Sequence, residues 1–530
     1  MEYLLDSYVF HYLPFTLCSN TRRNIISLVT KIVTVSISSF LVADWLCKAR
    51  ELQPFIENHP TLVVSESIYL VLWLLSLFCA FRNGSRYVYT WIGIYLLAFF
   101  TESVRFIDGS MDTVFYSQTM LTFMGMRTPL YILCGIYHTL FYTSYVLVKR
   151  IRLKWWGEAA ANGLLVFFMS LPLQVMGTKL LWWQWYDSDP RLTSTFYSVP
   201  VVVLAWYAIL GASFSASLYL FRKRFLCEKY DWKRFVAEFL CVVGAALFTL
   251  CLAALQYIIF FHILHDIFQI HPFFSLAVLL IVYATTALKA LFSSKMGYDL
   301  HDRAGKDQLI KDSLNEKHLN GLVEISIMTI HFLLHMLLAT FSSPEDIVSE
   351  GIYQAIGPCD ELEQIFSPFN LISYRKKYFC IKEQQHKLFD FHCIPGEQLP
   401  RIVDSEPLEY YAICGTNFEH RTEYITFIWI YCVTVLFIVY YVTLPCVVKI
   451  NRPKARSYTE IMQHNDHTYG FTSSKDLSSC EKKFKNNGMS QRAIGDTELR
   501  HRSCIVNRDG KKSRLPTPTR LSDYLSKSSG

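Results

Sequence analysis

Blocks of about twenty apolar residues recur along this chain, and twenty residues of helix is the length that crosses a bilayer. Few folds are open to such a sequence. Backbone groups in lipid need partners within their own segment, so each block is expected to be a helix. Ten spans are read, at 25–46, 62–81, 87–106, 129–148, 158–183, 197–221, 236–261, 272–292, 319–341 and 424–448. Lys31 and Asp44 interrupt the first. The expected fold class is all-α: a polytopic transmembrane helix bundle with a small extracytoplasmic cap and a disordered cytoplasmic tail. Composition agrees, because only 18% of residues are charged, against roughly 25% in soluble chains. A soluble enzyme, a disordered regulator and a disulfide-dense secreted miniprotein are thereby excluded.

The net charge of +7 suggests an acidic partner until it is divided along the chain. From Lys449 onward there are 17 Lys and Arg against 8 Asp and Glu, a balance of +9, which leaves −2 for the rest. A basic tail beside a span suits the anionic cytoplasmic lipid surface. No basic groove studded with aromatics is present, so no nucleic acid is expected as a partner.

Charges flanking the spans set the orientation. Arg82 and Arg86, then Lys149, Arg150, Arg152 and Lys154, then Arg222 to Arg234, then Lys449 to Arg456 all fall on one side of a ten-span chain. Arg22 and Arg23 join them, which puts both termini in the cytoplasm of an endoplasmic reticulum or plasma membrane protein. The sequon at Asn83 lies in a cytoplasmic turn and is expected to carry no glycan. The N-terminus lacks a basic region before an apolar stretch, so the first span is expected to act as an uncleaved signal anchor. The C-terminus carries no retrieval or prenylation signal.

The domains are then a cytoplasmic N-terminus (1–24), nine spans (25–341), an extracytoplasmic segment (342–423), the tenth span (424–448) and the tail (449–530). The segment 342–423 has 14 Asp and Glu against 7 Lys and Arg, and it holds Cys359, Cys380, Cys393 and Cys414. An oxidising compartment lets such thiols pair, and four cysteines allow three pairings. Cys79, Cys134, Cys241, Cys251 and Cys432 lie in apolar blocks, where they serve as small hydrophobes.

Ionisable residues at membrane depth are costly, so each is a candidate for function. Glu102 and Arg105 are three apart and can pair along one helix face. Glu66 and His138 lie inside other spans. Lys179 follows Pro172 and precedes an aromatic belt, a setting for snorkelling to the surface. His262 and His265, with Asp266, end the seventh span. His331 and His335, in HFLLH, are one turn apart and share a face, a spacing able to chelate a metal. In LWWQWYDSDP, Asp187 and Asp189 can bind a cation or cap their own turn, and capping is the commoner use. Packing signals are Gly211 and Ser215 in the sixth span and Gly244 to Ala246 in the seventh, small faces that admit close helix contact.

Gly135-Ile136-Tyr137-His138-Thr139-Leu140-Phe141-Tyr142 and Trp182–Pro190 resemble a family of uncharacterised eukaryotic polytopic membrane proteins. Members carry a similar YHT-F-Y helix and a WW-W-(H/Y)-D-(S/T)-D-P turn. Tyr186 stands here where histidine is associated with that family, which weakens a metal role for the turn. The resemblance implies architecture and no activity. In general order the chain is also similar to zinc-dependent intramembrane lipid hydrolases, which use a mid-bundle histidine and a later H-x-x-x-H pair. His138, His331 and His335 match that order, with Glu66 or Glu102 as an assisting acid.

Three functions follow as expectations. The favoured one is a bundle that binds or transports a small molecule or lipid, with no cofactor. A zinc-dependent lipid hydrolase using His138, His331 and His335 is the alternative, and a scaffold recruiting partners through its tail is the third.

Overall fold

The computed structural model describes residues 45–226, 230–302, 322–367, 371–380, 388–393 and 407–451. Asp44, most of the span at 25–46 and the tail beyond 451 lie outside the described residues. Nine helices among the described residues are long and apolar enough to cross a membrane. They are α1 (Pro60–Asn83), α2 (Ser85–Ile107), α3 (Tyr131–Ile151), α4 (Trp155–Lys179), α5 (Val201–Phe225), α6 (Trp232–Ile267), α7 (Pro272–Asp302), α8 (Leu322–Phe341) and α9 (Arg421–Asn451). They match the second to tenth spans read from the sequence. Their ends gather in two groups: Asn83, Arg86, Lys149 and Arg150 meet Glu158, Glu238 and Glu324 in one, and Ser117, Leu181 and Ser349 meet in the other.

The helix α3 is the axis of the bundle. Every residue from Tyr131 to Val148 is buried, as expected of a helix apolar all round and walled by neighbours. Much of it is wound as π-helix, over Tyr131–Ile136 and His138–Tyr142, a form concentrated at functional sites. The small-residue faces do pack closely. A Cβ on Gly163 of α4 would stand 2.7 Å from the Ala208 carbonyl oxygen of α5, and one on Gly211 would stand 2.9 Å from Val166. The Asn162 amide donates to the Gly211 carbonyl at 2.8 Å across that contact.

One end of the bundle is not helical, and this corrects the all-α expectation. Strand β1 (Cys47–Ala49) pairs with β3 (Leu121–Phe123), which also pairs with β4 (Thr128–Pro129). From the loops after α2 and α4, β2 (Val114–Tyr116) pairs with β5 (Trp183–Trp185), and β6 (Thr195–Phe196) pairs with β7 (Val199–Pro200). The segment after α8 forms the sheet β11–β12–β8, with β8 (Val348–Ile356), β11 (Phe389–Asp390) and β12 (Leu408–Gly415). It also forms a second pair, β9 (Leu362–Ser367) with β10 (Leu371–Lys376). Burial largely alternates along β8, the period of a strand with one face covered. Cys359 bonds to Cys380 and Cys393 to Cys414. Each closes a loop of 21 residues, worth about 3 kcal/mol by loop-closure entropy.

The opposite end carries the basic clusters, held by buried acids. Glu158, Glu238 and Glu324 each sit in the first turn of a helix that starts there, where the helix dipole favours negative charge. They pair with Lys149, Arg86 and Arg150 respectively.

Candidate functional site

The inward face of α1 repeats every three or four residues: Leu62, Ser65, Glu66, Tyr69, Leu72, Ser76 and Cys79 are all buried. On α8 the same rule buries Met328, His331, Phe332, His335 and Met336. The two faces meet where Gly135 of α3 leaves room for Tyr69: a Cβ there would stand 2.7 Å from the Tyr69 Cβ. Tyr69 thereby reaches between the two histidines of HFLLH. Its hydroxyl lies 3.0 Å from His331 Nδ1 and 3.0 Å from His335 Nε2.

Hydrogen-bond chemistry orders the protons in this trio. The Met169 carbonyl, 2.9 Å from His331 Nε2, can only accept, so Nε2 carries the hydrogen. In the neutral ring His331 Nδ1 is then a lone pair and accepts from the Tyr69 hydroxyl. The Tyr69 oxygen accepts in turn from His335 Nε2–H. The chain of donors leaves His335 Nδ1 as a lone pair, buried and without a partner among the described residues. Beside it stands Trp182, whose ring centroid is 6.2 Å from that of His335. The Trp182 Nε1–H is also buried without an acceptor. One bare acceptor and one bare donor therefore lie on neighbouring rings in the buried core. His59, near the Leu181 backbone, is neutral as well, because burial pushes its pKa down to about 3 against the raising effect of backbone contacts.

The other candidates stand elsewhere. His138 Nδ1 lies 2.6 Å from the Cys134 carbonyl and Nε2 lies 3.1 Å from the Trp91 carbonyl, and the neutral ring donates to one of the two. The structure thus brings His331 and His335 together and leaves His138 apart. Among the described residues, the one set of three metal-ligating groups within 4.8 Å is Asp390, His392 and Cys414, and Cys414 is spent in a disulfide. For a zinc ion, both His331 nitrogens are already engaged and His138 does not come within ligand distance of the other two rings, so the donor set does not fit a three-histidine centre.

Glu102 pairs with Arg105 at 2.7 Å, as the spacing predicts, and also meets the hydroxyls of Tyr116 and Tyr137. Arg105 continues to Asp112, which pairs with Arg127. Lys179 does not snorkel: it is buried and donates to the Asn417 carbonyl at 2.8 Å. Asp189 caps its turn through Arg191 N and binds the guanidinium groups of Arg191 and Arg375. The Asp187 N–H donates to Gln354. His262 and His265 both bond Asp266, at 2.6 and 2.8 Å. Sequence reasoning passed over Tyr69, one of many aromatics in apolar blocks. It also passed over Glu158, Glu238 and Glu324, whose signal was an acid just after a basic loop.

No curated protein and no solved structure matches the chain. A family described as a domain of unknown function (DUF7802) matches residues 1–444. A chain matched over that length belongs to the family, and the nine long apolar helices among its described residues are compatible with an integral membrane protein.

Proposed function

We propose that the bundle binds a small molecule or lipid bearing a hydroxyl group, at His335 and Trp182. The observation that carries this reading is the adjacent pair of buried, unpartnered atoms, His335 Nδ1 and Trp182 Nε1. Leaving such a group unpaired costs about 1–3 kcal/mol. A hydroxyl donates one hydrogen and accepts another, which answers both atoms at once. Tyr69 and His331 fix the His335 tautomer and so the polarity of the site.

The membrane orientation belongs to the same reading: both termini face the cytoplasm and the cap faces an oxidising space. The segregation of the loops supports it, with the basic clusters at one end and both disulfides at the other. Loops rich in Lys and Arg stay on the cytoplasmic side. Asn83, at that basic end, donates its amide to Glu324.

The test is mass spectrometry of molecules extracted from the purified full chain. The native protein is expected to retain a hydroxyl-bearing compound, and His335→Phe to retain at least roughly tenfold less, the worth of one hydrogen bond to a buried partner. Phenylalanine keeps the ring volume, and Tyr69 keeps its bond to His331, so folding should be spared. Equal retention by both proteins, or no enriched compound in either, would reject the reading. Metal analysis of the same samples separates the zinc hydrolase: stoichiometric zinc lost on His335→Ala would favour that alternative.

A further inference from the structure

Six carboxylates are buried among the described residues: Glu66, Glu102, Glu158, Asp189, Glu238 and Glu324. Five have a basic partner. Glu102 has Arg105, Glu158 has Lys149, Asp189 has Arg191 and Arg375, Glu238 has Arg86, and Glu324 has Arg150. Glu66 alone among them has none. Its Oε2 accepts from the Met120 N–H at 3.3 Å. The Thr119 hydroxyl is the other polar group beside the carboxyl, and Oε1 is buried without a hydrogen-bond partner of its own.

The surroundings offer no counter-charge. From α3, Tyr131 comes within electrostatic range, and its hydroxyl is likewise buried without a partner. On the same stretch of chain the titratable residues are His59, just before α1, and Tyr69, and burial holds His59 neutral. On the cap side, Arg50 is taken by Glu350 and Arg127 by Asp112. A carboxylate at this depth without a cation costs several kcal/mol, and the group escapes that cost by neutralising. The residue that covers the carboxyl reaches the surface. Met120, whose N–H meets the carboxyl, is 36% exposed.

We propose that Glu66 is an exchangeable proton site on the cap side of the bundle. It holds the proton as a carboxylic acid when the 119–121 loop is closed over it. On release the O–H bond breaks, the electron pair stays on the carboxylate oxygen, and water at the cap surface takes the proton. Uptake is the reverse. Such a group can couple proton movement to the motion of α1. The inference is independent of the ligand reading at His335.

Infrared difference spectroscopy of the full chain in phosphatidylcholine vesicles tests it without any ligand. The native protein should show the carbonyl stretch of a protonated carboxylic acid, which shifts in D2O and disappears as the pH is raised. That band should be lost in Glu66→Gln and retained in Glu57→Gln, an exposed carboxylate. It should shift in Tyr131→Phe and ignore added sodium. A band that survives Glu66→Gln overturns the assignment, as does the absence of any such band in the native protein. A band abolished by sodium at constant pH would mean that a metal cation compensates Glu66, which also overturns it.

Discussion

Replacing Asp189 by alanine is expected to remove on the order of 3–5 kcal/mol of stability, the cost of breaking a buried ion pair from one side. The Asp189 side chain is wholly buried. It accepts from Arg191 Nε at 3.0 Å, from Arg191 Nη2 at 2.6 Å and from Arg375 Nη1 at 3.3 Å. Arg375 is the other half of the device. Its guanidinium lies 3.9 Å from the Tyr186 ring centroid and donates to the Gly109 carbonyl and to Glu363. One carboxylate thus ties the α4–α5 loop to β10 and, through Arg375, to the α2–α3 loop. Alanine takes the Asp189 carboxylate away from Arg191, and leaves Arg375, at 2% side-chain exposure, with Glu363 as its one remaining ion-pair partner among the described residues. Thermal unfolding of the purified protein should show the loss, and limited proteolysis should show the cap opening first.

The effect of Asp189 has a sign in pH. Burial alone would raise its pKa, but the hydrogen bonds and charge of Arg191, helped by Arg375, outweigh burial and hold the carboxyl below its ordinary value. A group with a depressed folded pKa stabilises above its unfolded pKa, about 3.9 for Asp. That contribution is lost as the pH falls below this value. The gap between native protein and Asp189→Ala should therefore be constant from neutral pH down to about pH 5 and shrink below about pH 4. A gap of under about 1 kcal/mol at neutral pH would mean that the pair is no better than a surface bridge.

The spans were legible because a bilayer-length apolar block needs no knowledge of its neighbours. Helix spacing likewise showed that His331 and His335 share a face and that Glu102 and Arg105 can pair. The β-structure was hidden for the opposite reason. Its partners are far apart in sequence: Ser117 bridges to Gly351, and Tyr116 pairs with Trp183. A three-residue strand carries no periodicity long enough to read. Order along the chain grouped His138 with the later histidines, yet its π-helical stretch turns it to the carbonyls of Cys134 and Trp91. Tyr69 was invisible for want of a partner, because its role exists only where α1 meets α8. The turn at Asp189 was readable as a cap, but Arg375, 186 residues away, was not.

At the basic end, Glu324→Ala is expected to cost about 3 kcal/mol, near the lower bound for a buried pair because Arg150 keeps some access to solvent. The Glu324 side chain is 1% exposed and that of Arg150 is 16%. Glu324 Oε1 accepts from Arg150 Nη2 at 2.9 Å and from Asn83 Nδ2 at 2.8 Å. The start of α8 is thereby joined to the ends of α1 and α3. Alanine strips both donors of this carboxylate and removes a negative charge from the first turn of α8, where the dipole favours it. The double variant Glu324→Leu with Arg150→Met should recover most of the loss, since an apolar pair of similar volume carries no desolvation penalty. Unfolding of Glu324→Leu, Arg150→Met and the double variant in bicelles measures the coupling. Losses that simply add would show that the two side chains act independently, and the three-helix junction would then have to be held by packing alone.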